Sequence, residues 1–99
     1  MTDGDRLLAF EAREAIFARD GWLCQNCGQP LRLGSPQLAH RIPQSKMYLK
    51  RYSAEIIHHP DNLASVCSLA CNDALDIRGH PLEVAALVEK ISSQLRRNA

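Results

Sequence analysis

Between residues 5 and 20 the apolar positions Leu7, Leu8, Phe10, Ala12, Ala15, Ile16 and Phe17 recur at helical spacing, with Glu11, Arg13, Glu14 and Arg19 mostly opposite. The pattern predicts an amphipathic helix that Gly21 stops. After the turn-rich "PLRLGSP", "QLAHRIP" alternates: Leu38, His40 and Ile42 fall on one face, and Gln37, Ala39 and Arg41 on the other. This predicts a short strand ending at Pro43. Tyr48, Leu49, Tyr52 and Ile56 line one side of a further short helix, "HHPDN" reads as a turn, and Leu63 to Val66 form a second short strand. A helix from Ser68 to about Ile77 is closed by Gly79. Pro81 suits the first turn of a last helix, in which Val84, Leu87, Val88, Ile91 and Leu95 repeat at helical spacing and should pack on the core. The expected fold is a small α+β domain over residues 1–99, with flanking helices at about 5–20 and 81–97.

Composition adds a constraint on stability. Apolar residues at 45% and charged residues at 23% suit an ordinary globular chain. A domain of this length buries only roughly 60 to 65% of the surface its unfolded chain exposes, so a metal staple would matter. No stretch is apolar for the ~18 residues a membrane span needs. The start, "MTDGDRLLAFEAREAIF", is acidic at its front and charged through its apolar part, unlike a signal peptide. The expectation is a cytoplasmic protein without a membrane partner. Net charge is only +1, but Arg41, Lys46, Lys50 and Arg51 follow one another with no acid between them. Such a run suits contact with a phosphate backbone, and equally a solvated face.

In a reducing compartment, paired cysteines favour metal or redox chemistry over disulfides. "CQNCG" sets Cys24 and Cys27 where one tight turn can aim both sulfurs at one ion, with Gly28 free to take positive φ. "CSLAC" sets Cys67 and Cys71 four residues apart, on one face of a helix start. With 39 residues between Cys27 and Cys67, the two halves meet only through folding. The expected product is a structural Zn²⁺ held by four thiolates.

"RDGWLCQNCG", "LAHRIPQS", "DNLASVC" and "CND", in that order, resemble the HNH endonuclease family, whose core is two strands and a helix around a divalent metal. The resemblance covers about residues 19–77. It implies a ββα-metal core and metal-dependent hydrolysis of DNA phosphodiester bonds. His40 falls at the family's general base, where an imidazole can take a proton from water. Asn62 falls at the middle asparagine, whose amide holds the histidine strand in place.

The third motif position, usually histidine, is Asn72. By resemblance its amide oxygen, with Asp76 one helical turn on, ligates a catalytic cation such as Mg²⁺, Mn²⁺, Ni²⁺ or Zn²⁺. Ala39 departs from the pattern, because many members carry an acidic residue or a histidine there as a metal ligand. His58 and His59, beside the turn, are further candidate ligands, and His80 before Pro81 suits a helix start. Arg41, Lys46, Lys50 and Arg51 would contact phosphates. Phosphate contacts carry no sequence information, so the resemblance implies low intrinsic specificity or a targeting protein partner. The alternative is a catalytically degenerate, zinc-stapled module that binds nucleic acid or protein. A purely structural zinc domain with no nucleic-acid role is favoured only if the basic residues prove scattered over the surface, and a rubredoxin-like iron site would explain the cysteines but leave "AHRIP" and "DNL" without a role.

Overall fold

The computed structural model describes residues 12–33 and 36–98. The expected first helix is helical over 12–19 (α1), while Leu7, Leu8, Phe10 and Glu11 lie outside the described residues. Ile16 and Phe17 are buried on its inner side. Its end is a left-handed cap: Gly21 has φ +67° and Trp22 φ +57°. The amides of Gly21 and Trp22 donate back to the Ala18 and Phe17 carbonyls.

A knuckle follows, held by the Leu23–Pro30 bridge and by bonds from Cys24 N to Gln29 O and from Leu31 N to Trp22 O. A short 3-10 turn, Leu31–Leu33, leads to β1 (Gln37–His40). β1 pairs antiparallel with β2 (Leu63–Val66) in the register Gln37–Val66, Leu38–Ser65, Ala39–Ala64 and His40–Leu63. Between the strands lie α2 (Lys46–Tyr52), α3 (Ala54–Ile57) and the 3-10 turn Pro60–Asn62. α4 (Leu69–Ala74) packs on both strands, and α5 (Pro81–Arg97) crosses the far side to meet α3. No helix among the described residues is long and apolar enough to cross a membrane.

The α+β class is therefore met, among the described residues, by five helices and a two-stranded antiparallel sheet around two apolar clusters. Phe17, Cys24, Leu31, Ala39, Val66 and Cys71 form one. Ile42, Ile57, Ile77, Val84, Leu87 and Ile91 form the other, covered in part by Tyr48, Leu49, Tyr52, Ile56, Val88 and Leu95.

Three boundaries differ from the pattern, each because a specific contact competes with the regular element. β1 stops at His40 rather than Pro43, since the Asn62 side chain captures the Ile42 backbone and turns Ile42 into the second cluster. The helix expected around Tyr48 to Ile56 is broken at Ser53, whose φ of +80° and ψ of 157° no helix allows. The helix from Ser68 ends at Ala74 rather than near Ile77, because the Ile77 amide donates to the Arg41 carbonyl and draws the chain away. Gly79 thus lies beyond that helix and does not close it.

Candidate functional site

The knuckle and the start of α4 bring the four cysteine sulfurs within 4.8 Å of one another, an arrangement that can hold a metal ion. All four are free thiols; Cys27 and Cys67 sulfurs are 3.6 Å apart, and Cys67 and Cys71 sulfurs 3.9 Å. Gly28 takes φ +80° to close the knuckle. The Ser68 hydroxyl caps α4 by accepting the Cys71 amide, which fixes where that sulfur points. One end of the first apolar cluster is thereby built from Cys24 and Cys71.

Burial raises the Cys24 thiol, but the backbone amides of Cys27, Asn26 and Cys67 outweigh it and hold the group at about 6. Cys67 moves the other way, to about 12, through its bond to the Cys27 sulfur and then burial. Cys71 is lowered by the Asn26 side chain and the Ser68 hydroxyl, against burial. The first negative charge is welcome and a second beside it is not. Four sulfurs this close ionise together only with a cation among them.

A polar cleft opens on the other side of β1, lined by His40, Gln44, Asn72, Asp73, Asp76 and Arg78. Alternation places Leu38 and His40 toward this cleft and Ala39 toward the core, where Ala39 is fully buried. His40 Nε2 lies 3.2 Å from His58 Nδ1, with the rings edge-on at 79°. Burial, and then the neighbouring His58, lower the His40 pKa, which favours the neutral imidazole.

Asn62 is fully buried, and its amide makes three bonds: it accepts from Ile42 N at 2.8 Å and donates to Ile42 O at 3.0 Å and Ile57 O at 2.8 Å. One side chain thus ties the backbone just after His40 to that just before His58. Asn72 donates to Gln37 Oε1 at 3.2 Å. Asp76 lies past the end of α4, so it shares no helical face with Asn72, yet it reaches the same cleft. Both its oxygens are engaged by Arg78, through the backbone amide at 2.8 Å and the guanidinium at 2.7 and 2.8 Å. Burial would raise the Asp76 carboxyl, but those Arg78 bonds hold it below the usual range.

The other candidates scatter. His59 Nδ1 accepts the Asp61 amide and caps the 3-10 turn, away from His40. His80 is the residue before α5 and makes no side-chain cap bond. Lys46, Lys50 and Arg51 are exposed on α2, whereas Arg41 lines a different groove, beside Glu83 and Lys90. Among the described residues, the four cysteines are the only His, Cys, Asp or Glu group of three or more placed to hold a metal.

Two positioning residues carry no signal in the hydrophobic pattern. Arg19, which the pattern sets mostly opposite the apolar stripe, donates to the Pro60 and Leu63 carbonyls at 2.8 and 2.7 Å. Asp20 accepts the Ser65 amide at 2.9 Å and pairs with Arg19 at 2.9 Å. Burial raises the Asp20 carboxyl, but the Arg19 and Ser65 bonds prevail and lower it. The pair locks the end of α1 onto the Asn62 turn and β2. The "RDG" of the cysteine block holds both residues, and only their partners in space show what they do.

No protein-family model, no curated protein and no solved structure matches this chain.

Proposed function

We propose that the protein is an HNH-type nuclease that hydrolyses DNA phosphodiester bonds, built on a ββα-metal core of β1, β2 and α4 and stapled by Zn²⁺ at the four cysteines. Zinc suits the donor set: Zn–S bonds of about 2.3 Å in a tetrahedron set sulfurs about 3.8 Å apart, close to the 3.6 and 3.9 Å separations here. The observation that carries the nuclease reading is His40. It has its pKa lowered by burial and by His58, faces a polar cleft shared with Asn72 and Asp73, and stands on a strand end braced by buried Asn62.

In this reading His40 removes a proton from the attacking water. Asn62 keeps it in place, and Lys46, Lys50 and Arg51 on α2 neutralise flanking phosphates. The residues fit a hard cation that comes with the substrate better than a resident one. Asn72 Oδ1, and Asp76 once it exchanges Arg78, would hold it, and Mg²⁺ ordinarily completes its shell with water and substrate phosphate. When bound, such an ion supplies charge stabilisation at the phosphoryl oxygens and the leaving 3′ oxygen.

A second reading has its own support. Ala39 is buried in the core and the Asp76 oxygens are occupied by Arg78, which favours a degenerate module that binds nucleic acid without cutting it. The discriminating experiment incubates purified protein with supercoiled plasmid and Mg²⁺, Mn²⁺, Ni²⁺ or Zn²⁺, beside His40→Ala. Nicking that the substitution abolishes is expected. Cutting that survives it removes His40 as the base, and salt-sensitive binding without cutting by any metal selects the binding module.

A further inference from the structure

Two surface imidazoles at hydrogen-bond distance are often an accident of rotamers. Here the backbones that carry them are fixed by one buried group. Asn62 bonds both the N–H and the C=O of Ile42, two residues after His40, and the C=O of Ile57, one residue before His58. His58 itself caps α3 through its backbone amide, leaving its side chain free of the capping role. The backbones that present the 3.2 Å contact between His40 Nε2 and His58 Nδ1 are therefore held at a set separation by the fold.

The atoms in contact constrain the tautomers. One of the two nitrogens carries the shared proton and the other accepts it. If His58 Nδ1 donates, His40 Nε2 is engaged as acceptor and its remaining nitrogen, Nδ1, carries the proton, so His40 has no lone pair for a water. If His40 Nε2 donates, its Nδ1 holds a lone pair. Only the second arrangement makes His40 a base.

Resting on the nuclease reading, we propose that His58 is the positioning residue of His40: its Nδ1 accepts a hydrogen bond from His40 Nε2–H and so makes His40 Nδ1 the nitrogen that takes the proton of the attacking water. As the water oxygen bonds to phosphorus, its proton passes to His40 Nδ1. The bond from phosphorus to the 3′ oxygen breaks, and that oxygen leaves with a proton drawn from solvent. The bond to His58 strengthens as His40 becomes an imidazolium, because a charged donor makes the stronger hydrogen bond. A protonated His58 cannot accept, so both rings must be neutral for the arrangement to stand. Asp73, Asp76 and Arg78 are the other charged groups on this cleft.

The test uses the zinc-loaded, ¹⁵N-labelled protein and long-range ¹H–¹⁵N correlation of the imidazoles at pH 8. His40 is expected in the Nε2–H form, changing to mixed tautomers in His58→Ala. His58→Asn, whose amide oxygen also accepts a hydrogen bond, should restore the Nε2–H form. Plasmid nicking is followed in parallel. His58→Ala should lower kcat by about 10-fold to 100-fold with KM unchanged, and His58→Asn should recover most of that loss. His58 is exposed, so these variants should fold. An Nδ1–H tautomer at His40 in the wild type overturns the role given to His58 even if DNA is cut. So does a His58→Ala variant with full kcat. Failure of the wild type to cut with any metal overturns the nuclease reading, and the role of His58 with it.

Discussion

Asn62 shows how much one buried polar side chain can decide. Its amide accepts one and donates two hydrogen bonds to backbone that the sheet and α3 leave unpaired, in a place with no access to water. Asn62→Ala is expected to destabilise the fold by at least about 2 kcal/mol, because three buried backbone groups lose their partner. Urea unfolding checks this, with the loss read as a shift in midpoint at constant slope. The asparagine was legible in the sequence as the polar residue of "PDN" ahead of a strand. Its partners Ile42 and Ile57 were not, since they are ordinary apolar residues and Asn62 meets only their backbone.

The short elements of this chain owe their limits to caps and clamps more than to propensity. α4 spans only Leu69–Ala74, too short to persist alone, and begins on a Ser68 cap beside two metal-ligating candidates. The knuckle opposite it is a turn with a single bridge. Neither element has a large apolar face of its own, so a metal at the four cysteines would join them more firmly than the shared cluster of Cys24, Leu31, Val66 and Cys71 does alone. Stripping the metal with a strong chelator, or substituting Cys71→Ser, is expected to lower the melting temperature by at least roughly 15 °C, as binding energies of structural thiolate sites rival the stability of a whole small domain. Metal analysis alongside calorimetry checks it: a metal-free protein that melts unchanged would remove the staple. The cysteine spacing made this centre legible, because ligand pairing is a local pattern. The early end of α4 was not, because the Arg41 carbonyl that draws Ile77 away lies 36 positions earlier in the chain.

Across the whole molecule, α1 is joined to the rest through its last turn. Arg19 reaches the Pro60 and Leu63 carbonyls and Asp20 the Ser65 amide, so the helix end, the Asn62 turn and β2 are tied together. The Asp20 carboxyl is held below its ordinary range, with burial opposed by the Arg19 and Ser65 bonds. A depressed carboxylate contributes fully above the unfolded value and loses that contribution as pH falls through the lower folded value. Asp20→Ala should therefore cost about 1 to 3 kcal/mol at pH 7 and progressively less below about pH 4. Thermal melts of both proteins at pH 7 and pH 3 check the convergence; a constant gap would mean that Asp20 acts through packing rather than charge.

By itself the sequence determined where the helices and the two short strands fall, and set the cysteines out as two ligand pairs, Cys24 with Cys27 and Cys67 with Cys71. Those depend on periodicity, turn chemistry and ligand spacing, which are local. Tertiary structure alone decided that Ala39 faces the core while His40 faces a cleft, that Asp76 is bound by Arg78, and that Arg41 lies in a different groove from Arg51. It also brought His58 to His40 across 18 positions. The reason is common to all four. A side chain's chemistry is set by what lies beside it in space, and here those neighbours are placed by a buried asparagine, an ion pair and the apolar packing between strand and helix.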